Sequence, residues 1–206
     1  MDEIVKAAIA KWPNVPHCYG WLGLDARGHW RMRDERIQAL GQPGEKITNP
    51  ALLGFINRNY QCDDEGRWYF QNGPQRVYIE LEVTPYIARV TPQGLVVQSG
   101  AVLTDLQHVY LSQHGALLFE NADILAQLDD RDMAICLEWM QLDDRLVSDD
   151  ALLAWLDHST EKTTSLYLHP PAQAAVPIQK SEAADLMKKR AYIASPAQAE
   201  VSAKTV

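Results

Sequence analysis

The chain has 206 residues, 47% of them hydrophobic and 22% charged, enough for one large hydrophobic core or two small ones. Its formal charge of −8 repels phosphate backbones and anionic membrane surfaces, which argues against nucleic acid and membrane as partners. No apolar run reaches the roughly 20 residues that span a bilayer, and the opening Met1 to Lys6 lacks the pattern of a secretory signal, so a soluble cytoplasmic protein is expected.

Residues 1–12 place Ile4, Ala7, Ala8 and Trp12 at the spacing of one helical face, and Pro13 and Pro16 end that helix. Cys18 to Arg33 reads as a hairpin through Asp25-Ala-Arg-Gly28, and residues 38–46, with Gly41, Pro43 and Gly44, read as a loop. Asn49 then suits a helix cap and Pro50 the first helical turn, with Leu52, Leu53, Ile56 and Tyr60 on one face. Trp68 to Phe70, the turn Gln71-Asn-Gly-Pro74, and Arg76 to Val83 form a second hairpin. Its latter half alternates Val77, Ile79, Leu81 and Val83 against Arg76, Tyr78, Glu80 and Glu82, as a half-buried strand does.

Short strands are expected at 86–90, 95–97, 102–103, 109–111, 123–128, 166–168 and 176–178. Met133, Cys136, Leu137 and Met140 predict a helix capped by Asp129 or Asp130, and 181–190 predicts another. Two Leu-Asp-Asp-Arg segments, at 128–131 and 142–145, are read as a cap and a connection rather than as catalytic carboxylates. Residues 194–206 carry few bulky apolar groups and are expected to be disordered.

Internal similarity organises these elements. Ile47 to Asn59 has a near-copy at Val147 to Ser159, with Ala-Leu-Leu identical, and both copies predict a capped helix. Glycine turns recur near 28, 66 and 115, and Gly66-x-x-x-Phe70-Gln-Asn72 matches Gly115-x-x-x-Phe119-Glu-Asn121. The reading is an α+β protein of two related lobes, each with antiparallel strands packed on one or two helices. The N-terminal lobe is placed at 1–90, the C-terminal lobe at 91–193 and the tail at 194–206.

The run from Gly28 through Ile47 to Ile56, Asp64 to Phe70, and Gln75 to Pro85 resembles uncharacterised proteobacterial proteins. In these a strand, a helix and a glycine hairpin lead to an acidic strand ending in proline. The chain is also distantly similar, over roughly residues 18–142, to the two-lobe repeated α+β domain of unknown function 1285 family. That resemblance implies a signalling or regulatory role and carries over no functional residue.

No phosphate-loop, dinucleotide, zinc-protease or nucleophile-elbow motif is present, and the three cysteines and six histidines show no ligand spacing. No metal or cofactor is therefore expected. The leading expectation is a non-enzymatic ligand-binding or regulatory module for a small molecule or a protein partner. A hydrolase or transferase with an inter-lobe site, drawing on residues such as His17, Asp64, Arg76 and Glu80, is the alternative, and a protein-interaction scaffold is a third reading; a homo-oligomer is left open. The densest candidate surface combines Trp68, Tyr69, Asn72, Gln75, Arg76 and Tyr78, where amides and a guanidinium beside aromatics suit a small anion or a peptide carboxylate. The competing reading is a plain hairpin with Arg76 paired to Glu80 or Glu82. Trp21, Trp30, Trp68 and Trp139 are the aromatics expected to line a pocket between the lobes.

Overall fold

The computed structural model describes residues 1–157 and 165–204. The chain divides into two compact units, Met1–Pro85 with Leu186–Val206, and Tyr86–Asp185. The boundary thus falls at Pro85 rather than at residue 90, and the last part of the chain returns to the first unit.

The first unit opens with α1 (Glu3–Lys11), β1 (Cys18–Leu24), β2 (Trp30–Met32), α2 (Glu35–Ala39) and β3 (Glu45–Lys46). It continues through α3 (Pro50–Arg58), β4 (Tyr60–Cys62), β5 (Trp68–Asn72) and β6 (Gln75–Leu81). Asn49 caps α3 as its sequence requires, its side chain accepting from the Ala51 and Leu52 N–H groups. In α1 the buried residue is Val5; Ile4 and Trp12, expected on the inner face, are exposed. The six strands form one sheet in the order β3-β2-β1-β6-β5-β4, antiparallel except for β1 beside β6. On one side of this sheet Trp30, Tyr60 and Phe70 bury their rings, with Phe55 of α3 edge-on to Phe70 and Trp30 Nε1 donating to Asn57 at 2.9 Å.

The second unit contains β7 (Tyr86–Thr91), β8 (Gly94–Val97), β9 (His108–Leu111), β10 (Leu117–Glu120) and β11 (Leu125–Leu128). A short 3₁₀ turn and α4 (Met133–Leu137) follow, then β12 (Met140–Leu142), β13 (Arg145–Leu146), α5 (Asp149–Asp157), β14 (Leu166–Leu168) and β15 (Val176–Lys180). These strands make a nine-stranded sheet in the order β13-β12-β14-β15-β9-β10-β11-β7-β8. Its core gathers Leu95, Val97, Val109, Leu111, Leu117, Phe119, Cys136 and Met140 among others. The helix expected to include Met140 ends at Leu137, and Met140 opens β12 instead. His158, the expected last residue of the second repeated helix, lies outside the described residues.

The α+β architecture of two related sheets is present, and the relation is topological. In each unit a hairpin is followed by a three-stranded meander whose last strand lies parallel to the first: β2-β1-β6-β5-β4 matches β8-β7-β11-β10-β9. The first turn within each meander is built alike. Asp63 Oδ1 accepts from the N–H groups of Glu65 and Arg67, and Ser112 Oγ from those of His114 and Ala116. Gly66 and Gly115 close these turns at φ +77° and +80°. The β1–β2 turn repeats the design with Asp25 Oδ1 accepting from Arg27 and His29, and Gly28 at φ +75°. A type I turn closed by a left-handed glycine is a favoured three-residue hairpin loop.

The boundary between the second unit and the returning part of the first falls within α6 (Ala183–Lys189), and residues 191–195 pack within the first unit. The Ile193 N–H donates to Gly66 O at 2.9 Å, and the Leu81 N–H to Ala194 O at 2.8 Å. The expected disordered tail contains α7 (Pro196–Lys204). Ser195 before Pro196 is a helix-start signal of cap and first-turn proline, outweighed in the sequence reading by the scarcity of apolar residues. Among the described residues no helix is long and apolar enough to cross a membrane.

Candidate functional site

The alternation along β6 sends Val77, Ile79 and Leu81 to one face of the first sheet and Arg76, Tyr78 and Glu80 to the other. Tyr69 lies directly opposite Tyr78 and Gln71 opposite Arg76, so this second face gathers aromatic and polar side chains. It is not a solvated face. Tyr78 is fully buried and Tyr69 and Gln71 nearly so.

Tyr78 is the centre of a ring cluster. Tyr19 stacks on it at 4.7 Å between centroids, while His17 and Tyr69 meet it edge-on at 5.6 and 5.8 Å. Its hydroxyl donates to Asp63 Oδ2 at 2.9 Å, and Arg67 Nε donates to the same oxygen at 2.9 Å. Burial alone would raise the Asp63 carboxyl, but the Arg67 N–H, the Arg67 guanidinium and Tyr78 together hold it below its usual range. Burial, with Arg76 and Arg67 nearby, lowers His17. Burial also pushes the Cys62 thiol up to about 11, with Asp63 and Asp64 adding to the effect, so Cys62 is not an activated nucleophile. Arg76 lies over the Tyr69 ring, its guanidinium carbon 4.6 Å from the centroid.

The six residues singled out from the sequence are thus divided. Tyr69, Arg76 and Tyr78 share the cluster. Trp68 turns to the opposite face, against Tyr60 and Tyr192. Asn72 is exposed near the hairpin tip, and Gln75 donates to Pro16 O at 3.0 Å. The pairing of Arg76 with Glu80 or Glu82 does not form: Glu80 accepts from Ser195 and Ala197, and Glu82 from the Ala26 N–H. Of the other tryptophans, Trp30 is core and Trp21 is exposed. Asp64 is exposed in its turn, where Asp63 is the inward carboxylate.

Two open clefts lie farther along β6. The smaller, of about 410 Å³, runs from Gly23 and Asp25 past Arg31 and Arg33 to Gln42, Glu80 and Glu82. The larger, of about 550 Å³, is walled by Gly20, Arg33, Gln38, Glu80, Ser195, Ala197 and Gln198. Arg33 and Glu80 belong to both. Arg31 is committed to Asp25, which lies 2.6 Å from its Nη2 and 2.7 Å from its Nε. Arg33 is different. Its Nε donates to Gln42 O at 3.3 Å, and among the described residues no carboxylate lies within ion-pair reach of it. Gln38 Nε2 fixes its backbone by donating to Arg33 O at 2.9 Å. No sequence motif marks Arg33, because its setting is made by a loop and by the returning C-terminal segment.

Comparison with known proteins adds the family. The model of the DUF2944 family, described as "Protein of unknown function (DUF2946)", matches residues 1–197. No curated protein matches the chain. The expected similarity to DUF1285 structures is found in two crystal structures. One is a DUF1285 family protein from Shewanella baltica OS155, 11% identical, with a TM-score of 0.33 over 54% of this chain and 86% of that one. The other is a DUF1285 family protein from Silicibacter pomeroyi DSS-3, 15% identical, with a TM-score of 0.28 over 91% of this chain and 84% of that one.

Proposed function

The chain belongs to this family of unknown function, and we propose from its own geometry that the first unit is a binding module for a small carboxylate-bearing molecule. The observation that carries this reading is Arg33, a half-buried guanidinium lining two adjoining clefts, with all but one of its N–H donors unspent among the described residues. A guanidinium in that state suits the two-pronged hydrogen bonding of a carboxylate. The smaller cleft also carries Asp25, Glu80 and Glu82, which outnumber Arg31 and Arg33. That balance disfavours a doubly charged phosphate and favours one carboxylate attached to a polar or cationic remainder. Binding is favoured over turnover because Asp25 and Glu80 are already engaged in protein hydrogen bonds. A regulatory or signalling role fits such a module.

Thermal-shift titration with acetate, glycine, glutamate and inorganic phosphate tests the reading. A ligand at a hundredfold its Kd stabilises by about 2.7 kcal/mol, worth several degrees in Tm. The expected result is a shift with a carboxylate that is lost in Arg33→Gln and absent with phosphate. A response to phosphate alone, or an equal carboxylate response in Arg33→Gln, would refute it.

A further inference from the structure

The larger cleft is not closed by the first sheet alone. Three of its lining residues, Ser195, Ala197 and Gln198, belong to the cap and first turn of α7, far in sequence from Gly20, Arg33 and Glu80 opposite them. That turn is held by one carboxylate. Ser195 Oγ donates to Glu80 Oε2 at 2.5 Å and the Ala197 N–H donates to Glu80 Oε1 at 3.1 Å, while Ser195 Oγ caps the helix by accepting from the Gln198 N–H at 3.4 Å. One turn on, Glu200 faces Tyr19, whose hydroxyl pKa is raised by burial and by the Glu200 charge. A nine-residue helix does not hold itself in water, so its order depends on what fastens it.

We infer that Glu80 is a positioning residue, a latch that holds α7 as a detachable wall of the larger cleft. Its carboxylate satisfies N–H and O–H donors at the positive end of the helix, the arrangement in which a negative charge stabilises a helix most. Removing it deprives Ser195 Oγ and the Ala197 N–H of their shared acceptor, and the helix undocks while the strands beneath stay paired. What the cleft receives rests on the carboxylate-binding reading above; the latch itself does not.

Hydrogen exchange on the full chain without ligand tests the latch. In Glu80→Ala and in Ser195→Ala, amides of residues 197–204 are expected to exchange about tenfold faster than in the unsubstituted protein, as loss of a cap and a charged hydrogen bond implies. Amides of β1, β5 and β6 are expected to keep their protection. Glu80→Gln, whose single carbonyl oxygen can accept from only one of the two donors, is expected to fall between Glu80→Ala and the unsubstituted protein. Unchanged exchange of α7 in both Glu80→Ala and Ser195→Ala overturns the proposal. Faster exchange spread through the first sheet overturns it equally, since Glu80 would then be a general support of the fold. Adding glutamate separates the two readings. Slower exchange of α7 in the unsubstituted protein, lost in Arg33→Gln, ties ligand to latch; if neither glutamate nor the other carboxylates bind at all, the binding reading fails while the result on Glu80 stands.

Discussion

Arg76 and Gly66 illustrate how far one residue's role depends on what comes back to meet it. Along β6 and just past its end the charges at 76, 80 and 82 look like cross-paired surface groups, yet Glu80 is taken by Ser195 and Ala197, and Arg76 rests on Tyr69. Gly66 looks like an ordinary turn glycine. In the fold, however, a Cβ there would collide with the carbonyl oxygen of Ala191, whereas one at Gly73, also at positive φ, meets nothing within 4 Å. Gly73→Ala is therefore expected to cost only the left-handed backbone penalty of about 1–2 kcal/mol. Gly66→Ala adds a steric clash with backbone that cannot rotate away, and is expected to cost at least about 3 kcal/mol. Denaturant unfolding of the two variants decides the matter; equal losses would mean that the 191–195 segment is not seated on the turn.

Among elements, the repeat that the eye catches first in the sequence is not the repeat that the fold uses. The similar helices α3 and α5 follow different strands and lead to different positions in their sheets. The glycine turns and the strands around them are the shared unit, because β4-β5-β6 and β9-β10-β11 are equivalent meanders. The two Leu-Asp-Asp-Arg segments also part company. Asp143 and Asp144 form a hairpin turn with φ of 48° and 63°, whereas Asp129 caps the turn leading into α4 and binds Arg131. Asp132 of the same stretch holds Arg89 at 2.7 Å. Asp129 is wholly buried. Burial would raise its carboxyl, but Arg131, through side-chain and backbone hydrogen bonds, and Arg89 bring it down to about 2. Its ordinary value is 3.8, so its contribution to stability is complete above about pH 4 and is lost as pH falls towards 2. Asp129→Asn is expected to destabilise by about 1–3 kcal/mol at neutral pH. In urea melts taken down to pH 2 the gap to the unsubstituted protein should narrow. A gap that stays constant with pH would show that the charge of Asp129 does not matter.

The whole molecule has a discontinuous first unit, made from the first 85 residues and the last 21, with the second unit as a continuous insertion between them. The returning segment supplies backbone acceptors or donors to Gly66 and Leu81 and the donors that Glu80 holds. Ending the chain after Asp185 is therefore expected to weaken the first unit selectively. Hydrogen exchange should rise in β5 and β6, while β9 and β10, whose residues Val109, Leu117 and Phe119 are fully buried, keep their protection. Uniform loss of protection in both units, or none in either, would contradict the division.

Composition, hydrophobic alternation and turn chemistry alone determined the α+β class, most strands, the capped helix α3, the hairpins at 25–28 and 71–74, and the recurrence of glycine turns. These signals act over a few residues: side chains alternate with period two, a cap reaches two or three residues, and a left-handed turn needs glycine wherever it occurs. Tertiary structure decided which strands lie parallel, that the last residues form a helix docked on the first unit, and that Arg33 and Glu80 line two adjoining open clefts. Those outcomes rest on contacts between residues far apart in sequence, such as Glu80 with Ser195, 115 positions away. No local window contains them, because closing so long a loop is rewarded only by burial and hydrogen bonding that exist once the whole sheet is assembled.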